Sequence, residues 1–209
     1  MKLSDCHNFE DFRKLAKKKL PSPIFHYIDG GADDEVTLNR NTSSFNDYDL
    51  VPSVLNDVSN IDMSTTVLGQ KIDFPLFPAA TAMHRLYHHE GERASAKAVE
   101  KKGTIFGTST MGTVSIEEIA KINKGPKLFQ LYIHKDRGLT DNLLERCKKA
   151  GFTSMCLTVD TVVAGNRERD RRTGFTTPPK LTLGSLLSFV LHPVWTINNL
   201  THEKFKLAN

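Results

Sequence analysis

Leu157-Thr158-Val159-Asp160-Thr161, followed closely by Gly165-Asn166-Arg167-Glu168-Arg169-Asp170, sets a dense group of charges behind a short apolar run. Residues 155–159 predict a buried strand, because an apolar run of this length bounded by a turn has that form. A carboxylate at the end of such a strand must be paired or must work, since a lone buried charge is costly. One reading of Asp160 is a structural ion pair with Arg167, Arg169, Arg171 or Arg172. The other is chemistry, and the local sequence leaves both open.

Upstream, the same pattern recurs. Residues 76–80 predict a strand ending in Thr81-Ala82-Met83. Residues 90–102 predict a helix with Ala94, Ala98 and Val99 inward and Gly103 as its stop. A strand over 104–107 ends in Thr108-Ser109-Thr110, and Ser115-Ile116-Glu117-Glu118 reads as a capping box opening the next helix. A strand over 127–131 ends in Gln130-Leu131-Tyr132. The helix over 139–150 carries Leu139, Leu143 and Cys147 on one face and stops at Gly151. The strand ends fall near 81, 109, 132 and 160, a pitch of roughly 23–28 residues, as in a closed eight-stranded α/β barrel. No G-x-G-x-x-G follows a strand, which weakens a dinucleotide-binding alternative. The expected fold class is therefore α/β, a TIM (β/α)8 barrel of which the first four βα units are present.

Ahead of these units, Phe9, Phe12, Leu15 and Ala16 lie at helical spacing, with Leu20-Pro21 as the stop. Residues 23–28 predict a short helix closed by Gly30-Gly31. Tyr27, just before that break, could equally be a half-buried packing residue. Residues 33–41 look helical, and Val67 to Ile72 read as a hairpin turning at Gly69. The expectation is one domain: a helical cap over 1–60, four βα units over 61–160, and a long loop over 161–209.

Composition narrows the function. With 39% hydrophobic and 25% charged residues, the chain has the make-up of a soluble globular protein. The net charge of +4 arises from scattered residues, and the arginines at 167–172 have no aromatic interleaving, which argues against nucleic-acid binding. Cys6, Cys147 and Cys156 form no C-x-x-C pair; Cys147 and Cys156 read as small core hydrophobes, and a reducing cytoplasmic compartment is expected. The N-terminus lacks an apolar leader, and no apolar run reaches the ~18 residues needed to span a bilayer. His88-His89-Glu90 lacks two histidines at i and i+4, so no metal is expected. In a barrel of this kind the active site lies at the strand C-termini. Here those ends carry Thr81, Ser109, Gln130 with Tyr132, and Thr158 with Asp160, a polar ring that an inert barrel has no reason to build.

Pro78-Ala79-Ala80-Thr81-Ala82-Met83, Phe129-Gln130-Leu131-Tyr132 and Leu157-Thr158-Val159-Asp160 resemble the flavin-dependent 2-hydroxy acid oxidases and dehydrogenases. Tyr27-Ile28-Asp29-Gly30-Gly31-Ala32-Asp33-Asp34-Glu35 and Asn60-Ile61-Asp62-Met63 fit as well. The resemblance implies FMN held across the strand ends, contacted by Ala80, Thr81, Ala82, Ser109, Gln130 and Thr158, groups able to tune the ring. It further implies that Tyr27 and Tyr132 hydrogen-bond the substrate and that Arg167 assists at its carboxylate. Asp160 would orient a catalytic histidine and stabilise its imidazolium, which resolves the opening ambiguity toward catalysis.

That histidine, a second arginine, a lysine and the phosphate site belong, by the resemblance, to the second half of the barrel. None of the eight histidines here occupies the matching position. The 209 residues alone should not turn over, and a half barrel leaves open sheet edges prone to aggregation. The run Leu181 to Trp195 is too apolar for an ordinary loop and suits interfacial insertion, or else a helix packed on the barrel or a surface for the missing half. Leu191-His192-Pro193-Val194-Trp195 resembles the membrane-attaching region of mandelate and lactate dehydrogenases. With 26 residues before Tyr27, no fused haem domain is expected, so a quinone or cytochrome is the expected acceptor, with molecular oxygen, as in the oxidases, left open. Oxidation of L-lactate is expected first, with a glycolate- or mandelate-type enzyme or a non-catalytic membrane-binding remnant as alternatives. A homotetramer, peripheral on the inner membrane face, is the expected assembly.

Overall fold

The computed structural model describes residues 1–160, 162–176 and 180–209. Thr161 of the opening stretch, and Thr177, Pro178 and Pro179 of the loop expected near 173–179, lie outside the described residues. In chain order the elements are α1 (Phe9–Lys19), α2 (Ser22–Asp29), α3 (Val36–Ser43), β1 (Thr65–Val67) and β2 (Gln70–Ile72). Then come α4 (Glu92–Lys101), β3 (Phe106–Ser109), α5 (Ile116–Ile122), β4 (Lys127–Leu131) and α6 (Arg137–Lys149). β5 (Ser154–Leu157), α7 (Glu168–Thr173), α8 (Leu183–Leu191) and α9 (Pro193–Thr201) complete them. The chain forms two compact units, one from Met1–Asn56 with Val163–Glu203, the other from Asp57–Val162 with Lys204–Asn209.

In the first unit the Asn8 side chain accepts the Asp11 N–H at 2.9 Å and caps α1, satisfying a donor the helix leaves open. Lys17, Lys18 and Lys19 close that helix, where cations suit its dipole. Leu15, Leu20, Ile24 and Phe25 form the buried centre, whereas Phe9 and Phe12 are exposed despite their helical spacing. The helix expected from 33 begins only at Val36, because Asp33 and Glu35 take left-handed backbone (φ 47° and 58°). Asp33 N–H donates to the Asn166 carbonyl at 3.0 Å, and Gly31 N–H donates to the Glu35 carboxylate at 3.0 Å. These contacts hold the turn. Residues 161–209, read as a loop, contain three helices among the described residues.

The second unit carries the sheet, in order β3-β4-β5 and parallel throughout. Among the described residues it has three strands and does not close. The first of the four expected strands, over 76–80, does not form. Pro75 and Pro78 have no N–H to give a ladder, and Leu76 N–H turns back to the Phe74 carbonyl. This segment nevertheless runs beside β3: Thr104 Oγ1 donates to the Leu76 carbonyl at 2.7 Å. A Cβ on Gly107 would stand 3.0 Å from the Ala80 nitrogen, so only glycine admits so close a pass. The hairpin β1–β2 forms as expected, with Leu68 and Gly69 both at positive φ (50° and 73°), the geometry of a two-residue type I′ turn.

Side chains alternate across β4. Lys127, Phe129 and Leu131 are buried, and Phe129 and Leu131 join Ile116, Leu143 and Cys147 in one core cluster. A second cluster joins Ala96, Val99, Phe106, Val114 and Ile119. The inward face of α4 is therefore Glu92, Ala96 and Val99, at i, i+4 and i+7; Ala98 is exposed and Ala94 only half-buried. Leu139 is likewise exposed, and Thr140 takes its place beside Leu143 and Cys147 on the buried face of α6.

β5 corrects the expected buried strand. Met155, Cys156 and Leu157 are exposed. By register Met155 and Leu157 lie beside Phe129 and Leu131. No helix follows β5 within this unit to cover that face, and a parallel strand is buried only when both faces are covered. Cys156 is therefore an exposed thiol, while Cys147 is buried and burial pushes its thiol up to about 12. The capping box at α5 forms by half. Ser115 Oγ accepts the Glu118 N–H at 3.2 Å, but the Glu118 carboxylate turns to Arg93 at 2.5 Å. Glu117 pairs both oxygens with Arg146 at 2.7 and 2.9 Å, a contact that pulls its carboxyl down to about 2.

Candidate active site at the strand ends

Within the second unit, parallel pairing sets Ser109 beside Gln130 and Gln130 beside Cys156. Neighbours in register share a face, so the side chains of Ser109 and Gln130 meet. Ser109 Oγ donates to Gln130 Oε1 at 2.8 Å, and Gln130 Nε2 donates to Thr158 Oγ1 at 2.5 Å. A hydrogen-bonded run thus crosses the ends of all three strands. Met111 N–H donates to Ser109 Oγ at 3.1 Å, Thr110 Oγ1 to the Gln130 carbonyl at 2.7 Å, and Tyr132 N–H to Thr110 Oγ1 at 3.1 Å. Ser109, Thr110 and Gln130 are buried, while Tyr132 and Thr158 are half-buried. The Ser109 and Thr110 hydroxyls and one Gln130 N–H each have a named acceptor, which removes rotamer freedom from the row before any ligand arrives.

The turn carrying Ala80, Thr81 and Ala82 is tied to the same end of the sheet. Met83, in left-handed backbone, donates its N–H to the Met111 carbonyl at 3.1 Å. Thr81 is exposed and its hydroxyl bonds to the Ala79 carbonyl. Beneath the turn lies a buried polar knot that the spacing of residues did not reveal. Glu92, 1% exposed, accepts the Thr113 N–H at 2.7 Å, the Thr113 hydroxyl at 2.6 Å and the His84 N–H at 3.3 Å. Burial pushes the His84 imidazole below its ordinary range, with Glu92 opposing. The available signal was Glu92 at i, i+4 and i+7 with Ala96 and Val99, a charge on the core face of its helix.

Asp160 stands past the end of β5 and is exposed, so the buried carboxylate expected there is not formed in this chain. Three of the four arginines suggested as its partners are bonded elsewhere. Arg167 Nε donates to Asp170 at 2.6 Å, Arg169 to Asp29 at 2.8 Å and also to Glu35, and Arg172 to Glu168.

The first unit brings Arg167 and Tyr27 together. Arg167 Nη2 donates to the Tyr27 carbonyl, and the guanidinium carbon lies 5.2 Å from the Tyr27 ring centre, within cation–π reach. Phe175 also lies beside that ring, 5.0 Å between centres. Around them runs an ionic network that the sequence did not single out. Arg13 grips Asp29 through two bonds of 2.5 and 3.0 Å, and Arg169 joins it. Burial works to raise the Asp29 carboxyl, yet these two guanidiniums hold it below the ordinary range.

Residues 16–208 match the model of the FMN-dependent dehydrogenase family. The chain is 43% identical to glycolate oxidase 1 of Zea mays over 181 residues, 87% of this chain and 49% of the maize protein. It is 47% identical to the L-lactate oxidase of a Nostoc strain over 188 residues, 88% of this chain and 52% of that one. Among solved structures, the monotopic membrane protein (S)-mandelate dehydrogenase superposes with a TM-score of 0.90 at 34% identity, covering 98% of this chain and 54% of its own. The chain spans about half the length of the curated relatives it matches. A match over nearly its whole length, reached independently of the strand-end geometry, means that this chain belongs to the FMN-dependent dehydrogenase family.

Proposed function

We propose that the whole protein oxidises an L-2-hydroxy acid, L-lactate first, to the 2-oxo acid, and passes the electrons to a quinone or cytochrome. In this reading the chain is the first half of a TIM barrel, with the helical cap and four βα units of one domain. The Ser109–Gln130–Thr158 run carries the proposal. These residues fit FMN. Thr158 Oγ1 accepts from Gln130, so its own proton is left to give, and Gln130 Nε2 keeps a second N–H. The backbone of Ala80 and Ala82 beside them presents nothing larger than a methyl group. Members of this family use FMN, which when bound supplies a two-electron acceptor.

The side chains of this chain have distinct roles in the proposal. Ser109, Gln130, Thr158, Thr81 and the backbone of Ala80 and Ala82 bind and orient the flavin ring. Tyr132 and Tyr27 hydrogen-bond the substrate carboxylate or its reacting oxygen. Arg167 already spends Nε on Asp170 and Nη2 on the Tyr27 carbonyl; the rest of its fork serves the carboxylate, held in a fixed plane. Asp160 orients a base histidine from the second half of the barrel and stabilises the imidazolium formed when the substrate C2 proton is taken. Glycolate and mandelate remain the competing substrates. The test is a titration of the chain with FMN, followed by flavin fluorescence. Saturable quenching is expected, with a dissociation constant roughly tenfold larger for Gln130→Ala, the cost of about one hydrogen bond to the ring. Absence of quenching, or an unchanged constant in the variant, rejects the assignment.

A second reading concerns location. In α8, Leu183, Leu186, Leu187, Val190 and Leu191 are all exposed, as are Val194, Ile197 and Leu200 in α9. The two helices are joined by Phe189 packed on Trp195, ring centres 5.4 Å apart, and by Thr196 Oγ1 donating to the Phe189 carbonyl at 2.8 Å. No helix is long and apolar enough to cross a membrane among the described residues. A shallow apolar face of this kind suits peripheral attachment to the inner membrane surface, as part of a tetramer near its quinone or cytochrome. A membrane-binding remnant without catalysis would share the face but not the flavin titration. Co-sedimentation with anionic phospholipid vesicles is expected, and Leu187→Asp should lower the bound fraction at least fivefold, since each apolar side chain buried contributes about 1.5–3 kcal/mol. Equal sedimentation of both would reject attachment through α8.

A further inference from the structure

The second unit contains a segment that its βα pattern does not require. Residues 204–209 return to it after the helices of the first unit, and they end against the loop between β3 and α5. Ala208 N–H donates to the Gly112 carbonyl at 3.0 Å, and Arg85 Nη1 donates to the Lys204 carbonyl at 3.4 Å. The side-chain amide of Asn209 is used at both ends. Its Oδ1 accepts the Ile116 N–H at 3.0 Å and Arg146 Nη2 at 3.5 Å. Its Nδ2 donates to the carbonyls of Ser109 and Val114, each at 3.4 Å. One primary amide has two protons and two lone pairs to offer, and here all four have partners. Gly112 leaves the necessary space: a Cβ there would lie 3.0 Å from Asn209 Nδ2 and 3.0 Å from the Ser109 carbonyl.

These contacts fall on both ends of the loop that leads away from Ser109. Inside the loop, Met111 N–H holds Ser109 Oγ, which orients the serine proton toward Gln130. We propose that Asn209 is a positioning residue for the flavin subsite: by gripping the Ser109 and Val114 carbonyls and the Ile116 N–H, it sets the loop that aims the Ser109 hydroxyl. The inference rests on the FMN reading above. It differs from simple docking of a tail, because the four bonds go to backbone groups of this loop and to the Arg146 guanidinium of α6.

Two measurements on the full 209-residue chain decide it, with Asn209→Ala, Asn209→Asp and Ser109→Ala. Asp keeps an acceptor for Ile116 but loses both donations, and it stands in if the Ala variant folds poorly. In FMN titrations, each single variant is expected to weaken binding roughly tenfold, with a displaced flavin absorption band. The pair Asn209→Ala with Ser109→Ala should be no worse than Ser109→Ala alone, the non-additivity of residues acting through one contact. Additive losses, or wild-type affinity in both Asn209 variants, overturn the proposal. Amide exchange is the second measurement: Met111 and Ile116 should exchange at least tenfold faster in Asn209→Ala, with β4 unchanged. If the wild-type chain fails to bind FMN, the functional reading falls, and the exchange result still decides whether Asn209 sets Ser109. Unchanged exchange overturns it.

Discussion

Replacing Phe129 by Ala is expected to lower the stability of the second unit by about 4 kcal/mol, in the upper range for a buried aromatic. Phe129 is 1% exposed on the central strand, packed with Ile116, Leu131, Leu143 and Cys147 and met edge-on by Phe152, 6.1 Å between ring centres. Its removal opens a cavity that a strand paired on both sides cannot close by shifting. Total stability of a domain is about 5–15 kcal/mol, so the variant should be close to unfolding at room temperature. Urea titration followed by circular dichroism measures the difference. A loss below about 1 kcal/mol would mean that the β4 core is far looser than its burial implies.

Glu92→Ala is expected to cost about 3 kcal/mol by a different route. The carboxylate satisfies the Thr113 N–H, the Thr113 hydroxyl and the His84 N–H in a place with no access to water. Truncation leaves at least one of these donors buried without an acceptor, at about 1–3 kcal/mol each. It also deletes a negative charge from the first turn of α4, worth a few tenths to ~1 kcal/mol. Glu92→Gln keeps an acceptor for the Thr113 N–H and should lose only about 1 kcal/mol. The comparison separates hydrogen bonding from charge, and equal losses for the two variants would reject the donor-count argument. Loosening should also reach Thr113 and the loop that Asn209 grips, visible as faster amide exchange there.

How far the sequence foretold this arrangement depends on the range of each interaction. The hairpin was legible because Leu68-Gly69 needs a positive φ at both positions, a property of two adjacent residues. The polar strand ends were legible because alternation along β4 puts Gln130 opposite Phe129, and register then brings Ser109 beside it. The missing strand at 76–80 was partly legible, since Pro75 and Pro78 stand in plain view and forbid a full ladder. By contrast, the exposure of Met155, Cys156 and Leu157 depends on what covers a sheet face, which no local pattern states. Ala98 was assigned inward because α4 has small residues on two faces, and only packing chooses between them. Asn209 meets Ser109 across a hundred residues, and the contact has no motif.

The buried thiol of Cys147 has a practical consequence. With its proton held up to about 12 and its sulfur against the sheet under α6, it offers almost no thiolate at neutral pH, the form that reacts. Oxidants and alkylating agents therefore meet Cys156 before Cys147. Cys147 becomes modifiable only when α6 lifts away, so its labelling rate is a clock for local opening of that helix, with the exposed cysteine on the neighbouring edge strand as the built-in reference.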